Sequence, residues 1–407
     1  MSKKRSASYQ VKPGFCDRFR EKWPKSLTRQ GMRAKVPQAY PVRYAEDTFA
    51  SITQYWQGFR DILPKSYCKF RVKGKFLRRA MVAGVLLILF ALPLFCRNEY
   101  HLEVLVSAGI FAILVLGLNV MTGYCGLLNL GQAAFFASGA YTYALLNVKL
   151  GLSFWVSLPA CVILAGSLGL LFGSCVLRLK GDYLALVTLG FGEIVRIALN
   201  NMDSLTGGPN GLTVSHPVIG FVSKSFDFGI KSMPYYYLTL SAIIVTVIIT
   251  NRLSSSRFGR AWVAIKEDEV AAACMGINTG RLKLLAFCLG SAIAGFAGWL
   301  FAGKQGFVSP DSFDFITSIM LVAMLVLGGI GSIAGSIVGA VALTVLPEIL
   351  RPLQQYRMFL FGAVMIIMML FRPQGIFGGA RILEEFRPET ERVRQEEDEI
   401  LGEDVKQ

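Results

Sequence analysis

The sequence is poor in the residues that most site chemistry needs. Only two histidines occur, His101 and His216, and the eight cysteines form no Cys-x-x-Cys pair. Most of those cysteines sit inside apolar runs, where a thiol behaves as a small buried hydrophobe. A metal or haem centre and a disulfide framework are both disfavoured. Ser, His and Asp occur without nucleophile-elbow spacing, and His-Glu-x-x-His and Asp-rich metal patterns are missing. Rhomboid-like intramembrane hydrolysis is disfavoured on the same ground, and the chain reads as a non-enzyme. The first 79 residues contain no apolar h-region, so the N-terminus does not read as a signal peptide.

Acid is scarce in that same stretch. Residues 1–79 carry 20 of the 42 Lys and Arg but only 5 of the 27 Asp and Glu. Basic residues interleave with aromatics in CKFRVKGKFLRR (68–79), immediately before an apolar run. That pattern suits the anionic headgroups of membrane lipid rather than nucleic acid. Behind Asp47 and Thr48, residues Phe49, Ile52, Tyr55, Trp56, Phe59 and Leu63 recur at helical spacing. An amphipathic helix over about 48–63, on the membrane, on a partner or as a small packed cap, fits this spacing.

What is plentiful is apolar surface. The chain has 407 residues, 53% of them hydrophobic, and a mean hydropathy of +0.49, too apolar for an ordinary soluble domain. A bilayer-crossing helix takes about 20 apolar residues, because the hydrocarbon is about 30 Å thick and each residue rises 1.5 Å. Stretches near 80–97, 103–122, 127–147, 153–177, 183–200, 233–251, 282–303, 314–330, 333–350 and 356–372 meet or approach this requirement. The reading is an all-α polytopic membrane protein of about ten transmembrane helices. The second, third, eighth and ninth are interrupted by Gly and polar residues, as discontinuous helices are. Three regions follow: a basic cytoplasmic or membrane-surface tail (1–79), a transmembrane domain (80–377) and an acidic tail (378–407) with EEDE at 396–399. Lys and Arg cluster in the basic tail, at Arg178 and Lys180, at Arg252, Arg257, Arg260, Lys266 and Arg281, and at Arg372. By the positive-inside rule both termini are cytoplasmic. Small residues at helix-contact spacing in GSLGLLFG, GSAIAGFAG and GGIGSIAGSIVGA predict a tightly packed bundle.

Five stretches bear on function. In the fifth span, LVTLGFGEIVRIALNN puts Glu193 and Arg196 on one helix face. A lipid-exposed Asp or Arg at mid-membrane costs about 2.5–3.5 kcal/mol, so the two are expected to face protein or a water-filled path, as a gating element or as a neutralised packing pair. Gly123, Gly126, Asn129 and Gln132 interrupt the third span and are candidates for a translocation path or for helix packing. LTGGPNGL (205–212) reads as a tight turn in an outer loop. The longest internal loop, RFGRAWVAIKEDEVAAACMGINTGRLKL (257–284), contains a short helix predicted over 266–276. Glu267, Asp268 and Glu269 lie at its start, where the helix dipole favours negative charge, and Gly276 suits its stop. Last, GWLFAGKQ (298–305) is one residue from a phosphate-binding loop, with Gln305 where the motif needs Ser or Thr. Its place at the outer end of an apolar helix makes it a helix end instead: Gly298 packs, Gly303 ends the span and Lys304 reaches outer headgroups.

Long ordered motifs then accumulate: GYCGLLNLGQAAFFASGAYTYALL (123–146), LRLKGDYLALVTLGFGEIVRIALNN (177–201), LTGGPNGL, GRAWVAIKEDEVAAACMGIN (259–278), QGFVSPDSFDFITSI (305–319), LGGIGSIAG (327–335) and LFRPQGIF (370–377). From about 100 to 377 the chain resembles the LivM-like permeases of branched-chain amino-acid ABC importers. The resemblance implies a multi-pass subunit of the bacterial inner membrane, paired with a LivH-like second permease. It implies a periplasmic substrate-binding protein that delivers branched-chain or other hydrophobic amino acids. ATP and Mg would be used by two ATP-binding cassette subunits, and this chain would bind no cofactor. Coupling to those subunits is then expected at Glu267, Asp268, Glu269, Ala271, Ala272 and Gly276. The coupling pattern departs from the family at one place, with Val270 where Glu belongs and Glu269 one residue earlier. Permeases for urea, short amides or nucleosides share the architecture; a stand-alone carrier or channel would need a charge relay that the spans lack.

Overall fold

The structure, a computed structural model, describes residues 99–349 except 178, 180, 217, 222, 223 and 228–231, together with 89, 90, 92, 93, 362, 366, 375 and 376. The basic tail with its 48–63 stretch, Arg178, Lys180, most of the expected spans at 80–97 and 356–372, and the acidic tail lie outside the described residues.

Helix α1 (Glu99–Leu118) is apolar all round and continues into a π-helical turn, Asn119–Tyr124. A helix without a polar face belongs inside a bundle, and residues from Val106 to Tyr124 are mostly buried. Helices α2 (Gln132–Leu150), α3 (Phe154–Val176), α4 (Asp182–Asn201) and the single turn α5 (Asp203–Thr206) follow. After three short strands come α6 (Ser232–Ser255), α7 (Arg257–Glu267), α8 (Glu269–Cys274) and the 27-residue α9 (Thr279–Gln305). Helices α10 (Phe315–Gly328) and α11 (Ile333–Ile349) close the described chain. Among the described residues, six segments are long and apolar enough to cross a membrane: Glu99–Tyr124, Phe154–Val176, Tyr183–Asn201, Ser232–Ser255, Thr279–Gln305 and Pro310–Gly328. Ile333–Glu348 is apolar but shorter. The chain is a mostly helical, multi-pass membrane protein.

Helix α9 is the centre of the packing and touches α1, α2 and α3. The α2–α9 crossing is backbone against backbone. A Cβ on Gly139 would run into Gly295, and one on Gly298 into the carbonyl of Phe136, so Gly298 packs as expected. Above the crossing, Phe154 and Trp299 stack with ring centroids 3.9 Å apart, and Trp299 Nε1 donates to the Phe154 carbonyl at 2.8 Å.

Strand is minor and was not part of the all-α expectation. β1 (Leu212–Thr213) pairs antiparallel with β4 (Phe307–Val308), Leu212 opposite Val308, while β2 (Val218–Phe221) and β3 (Lys224–Asp227) form a hairpin. The LTGGPNGL turn folds as α5 and a 3₁₀ turn (Gly208–Asn210) that delivers β1 to the end of α9.

Three expectations are corrected. The third span does not start at 127: residues 126–131 are non-helical and the helix begins at Gln132. GWLFAGKQ lies inside α9, which passes Gly303 and ends on Gly306, whose N–H donates to the Ala302 carbonyl. Gly303 is a packing position, where a Cβ would meet the Phe154 ring. Lys304 pairs with Glu103 at 2.9 Å rather than reaching for headgroups, because α1 starts beside the end of α9.

Candidate functional site

The break between α1 and α2 is built first, because non-helical backbone at membrane depth must be satisfied by protein. Tyr143, on α2, donates to the carbonyl of Ser215 in the loop that follows β1. The start of α2 lies three turns along the helix from Tyr143, about 16 Å. Several polar groups in and around the break are satisfied by side chains or by the flanking π-turn. Leu127 N donates to the Met121 carbonyl at 3.1 Å, and Thr122 Oγ1 to the Leu127 carbonyl at 2.8 Å. Leu130 N donates to Thr188 Oγ1 on α4 at 3.0 Å, Gly131 N to Asn129 Oδ1 at 3.0 Å, and Ala133 N to Ser318 Oγ on α10 at 3.2 Å.

The four path candidates of this stretch are thereby brought together. Asn129 and Gln132 are fully buried, and Asn129 Nδ2 donates to Gln132 Oε1 at 2.9 Å. Gly123 closes the π-turn against Asn119, whose Oδ1 accepts from Gly331 N at 2.9 Å. Gly126 has φ +74°, a conformation that a side chain would strain. Two buried amide donors, Asn119 Nδ2 and Gln132 Nε2, have no hydrogen-bond partner among the described residues. They leave unspent polar capacity on either side of the break.

Helix α4 supplies the other pair. Arg196 Nε donates to Glu193 Oε2 at 2.9 Å, with both side chains about one-third exposed. Leu186, Ile194 and Ile197 are exposed on the same helix. Glu193 also borders a small recess with Leu130 and Ala133 from the break and Asp314 and Ser318 from the start of α10. The end of the break and the charged helix therefore line the same recess. Sequence reasoning passed over Thr188, Asp314 and Ser318; a hydroxyl in an apolar span is too common a signal to single out.

The internal loop forms a separate, second site. The helix expected over 266–276 is two helices, because Asp268 is extended at φ −152°. Its Oδ1 accepts from Val270 N at 2.8 Å and Ala271 N at 3.0 Å, starting α8 afresh. Glu267 ends α7, and Glu269 opens α8 and pairs with the mostly buried Lys283 at 2.7 Å. Ala272 is buried, Gly276 follows α8 at φ +82°, and Val270 and Met275 stand 67% and 82% exposed. Trp262 is fully buried, and its Nε1 donates to the Leu282 carbonyl at 2.8 Å. Lys266 Nζ donates to the Gly123 carbonyl at 3.0 Å, joining the internal loop to the break. Lys266 counted in the sequence only as an inside charge, because nothing in its neighbourhood announces a contact 143 residues away.

Comparison with known proteins places the chain in a family. The family described as branched-chain amino acid transport system / permease component matches residues 100–369. High-affinity branched-chain amino acid transport system permease protein LivM of Escherichia coli (strain K12) is 40% identical over 341 residues, 79% of this chain and 80% of that protein. LivM of Salmonella typhimurium is 40% identical over 347 residues, 81% of this chain and 80% of that protein. Permease protein LivH of Escherichia coli (strain K12) is similar at lower identity, 27% over 300 residues, 70% of this chain and 93% of that protein. No solved structure matches the chain. With two-thirds of its residues matched and four-fifths aligned to LivM, this chain belongs to the permease components of branched-chain amino acid transport systems.

Proposed function

We propose that this chain is one of two permease subunits of an ABC importer that carries branched-chain or other hydrophobic amino acids into the cytoplasm. The observation that carries the reading is the 40% identity to LivM over four-fifths of both chains. Similarity to LivH as well supports a paired permease of related fold as the partner. The importer would sit in the bacterial inner membrane with both termini inside and about ten crossings, its basic tail against anionic lipid. A periplasmic binding protein delivers substrate, and two ATP-binding cassette subunits hold ATP and Mg; this chain needs no cofactor and no nucleic acid.

In this reading α8 is the coupling segment. It is short, capped by Asp268, and presents Val270, Ala271, Cys274 and Met275 to the cytoplasm. Exposed apolar side chains between two membrane helices suit a cleft on a nucleotide-binding subunit. Gly123, Gly126, Asn129, Gln132, Glu193 and Arg196 lie along the path. The exposed face of α4 turns to the second permease, because an ion pair one-third exposed is costly against lipid and acceptable against protein or water.

The test is competitive uptake of labelled leucine by proteoliposomes holding all subunits, with valine, phenylalanine, urea and adenosine as competitors. Competition by the apolar amino acids, abolished by an ATPase-dead partner, is the expected result. Competition by urea or adenosine alone, or uptake by this chain without ATP, overturns the reading.

A further inference from the structure

Lys266 is not needed by either site as described, yet it is the side chain that touches both. It lies in the last turn of α7, two residues before the Asp268 cap of α8, and its ammonium donates to the Gly123 carbonyl at 3.0 Å. That carbonyl belongs to the π-turn that ends the 26-residue first span. Helix-terminal carbonyls lack partners within their own helix and carry partial negative charge, so a cation is the fitting cap. The stem of Lys266 also crosses Gly126: a Cβ there would stand 3.0 Å from Lys266 Cγ and 3.4 Å from its Cβ. The residue thus engages the break at both Gly123 and Gly126.

The neighbouring ties run elsewhere. Glu269 grips Lys283 and Trp262 grips the Leu282 carbonyl, both at the base of α9. They hold the internal loop onto a long, heavily packed helix. Lys266 adds a direct hydrogen bond from the last turn of α7 to the π-turn, beside the packing of α9 on that turn and the Lys283–Glu269 pair, which lies close enough to Cys125 to act on it electrostatically. Packed elements joined by a polar link can shift together to an extent that depends on that link.

Resting on the importer reading above, we propose that Lys266 is the positioning residue that transmits displacement of the docking helix to the broken span, through its hydrogen bond to Gly123. ATP-driven movement of α8 shifts Lys266, which carries the π-turn and Gly126 with it. Without the link, the partner subunits still dock and hydrolyse ATP, and the break no longer follows.

The experiment measures leucine uptake and ATP hydrolysis together, in proteoliposomes of the complete complex with its binding protein. Lys266→Met keeps the stem and removes the donor. The expected result is a fall of about tenfold in leucine moved per ATP, a usual size for coupling between sites, with stimulated hydrolysis near that of the unaltered complex. Lys266→Arg, which keeps a cationic donor, restores most of the ratio. An unchanged ratio in Lys266→Met overturns the proposal, and so does a parallel fall in uptake and hydrolysis, which marks a docking or folding role. If Lys266→Met does not assemble, Lys266→Gln against Lys266→Arg makes the same comparison, and equal ratios in the two overturn it. Failure of the unaltered complex to couple leucine uptake to ATP would sink the importer reading instead, which keeps the two failures apart.

Discussion

Helices α1 and α4 are alike in apolar length and opposite in surroundings. In α1 with its π-turn, 78% of the most apolar stretch is buried; in Tyr183–Asn201 the figure is 11%. The buried helix has no charge past Glu103, and the exposed one carries Glu193 and Arg196 in its middle. Hydropathy alone would rank the charged helix as the one needing protein cover. Among the described spans it has the least, which is what the proposed pairing with a second permease would supply.

The sharpest way to break that contrast is one substitution made on both helices. Gly117→Ala on α1 forces a Cβ to 2.9 Å from the Gly290 carbonyl and 3.1 Å from Ile293 Cγ2, and is expected to cost about 2 kcal/mol by overpacking. Gly190→Ala on α4 meets nothing within 4 Å and is expected to stabilise by up to about 1 kcal/mol through helix propensity. Thermal unfolding of the detergent-solubilised chain reads both; equal effects would mean that the two helices are buried alike.

Removing the charges tests what α4 faces. Glu193→Gln strands Arg196 and is expected to lower uptake about tenfold, or about 1.4 kcal/mol, with recovery of membrane abundance in the Glu193→Gln, Arg196→Gln double variant. If the double variant also transports at the original rate, the pair serves packing alone.

Smaller effects are expected at the docking helix and the outer rim. Asp268→Ala removes the cap of α8, at a cost of about 1 kcal/mol, and is expected to weaken stimulated ATP hydrolysis several-fold; unchanged hydrolysis would show that α8 does not need its own cap. Lys304→Met breaks the ion pair with the half-exposed Glu103, and is expected to change stability by less than about 0.5 kcal/mol.

The sequence made the long helices legible because their signal is local. The spans expected at 103–122, 153–177, 183–200, 233–251 and 282–303 all correspond to observed helices; Phe154–Val176 falls one residue short at each end, and the others run one to four residues further at their ends. Glu193 and Arg196 at i, i+3 foretold their ion pair for the same reason. The break at 126–131 was harder, since Leu127, Leu128 and Leu130 look helical while the Thr188 hydroxyl that takes the Leu130 N–H, and the Ser318 hydroxyl that takes the Ala133 N–H at the start of α2, lie far along the chain. Asp268 was read as a first-turn acid of one helix, although it interrupts two, because a cap and a first-turn residue have the same composition. The short pairing of β1 with β4 had no periodicity to show.

Helix α9 joins these regions in a further respect. Its 27 residues form a rod of about 40 Å, based on Lys283 and Leu282 beside the docking helix and tipped at Gly306, against which the His216 ring is seated. Under the proposed importer reading this rod would join an inner docking surface to an outer one, and linkage makes any coupling between them reciprocal: whatever factor nucleotide binding by the inner subunits applied to the outer face's affinity for its partner, that partner would apply to nucleotide affinity. Measuring nucleotide binding with and without the substrate-loaded partner would therefore report on the outer surface without touching it.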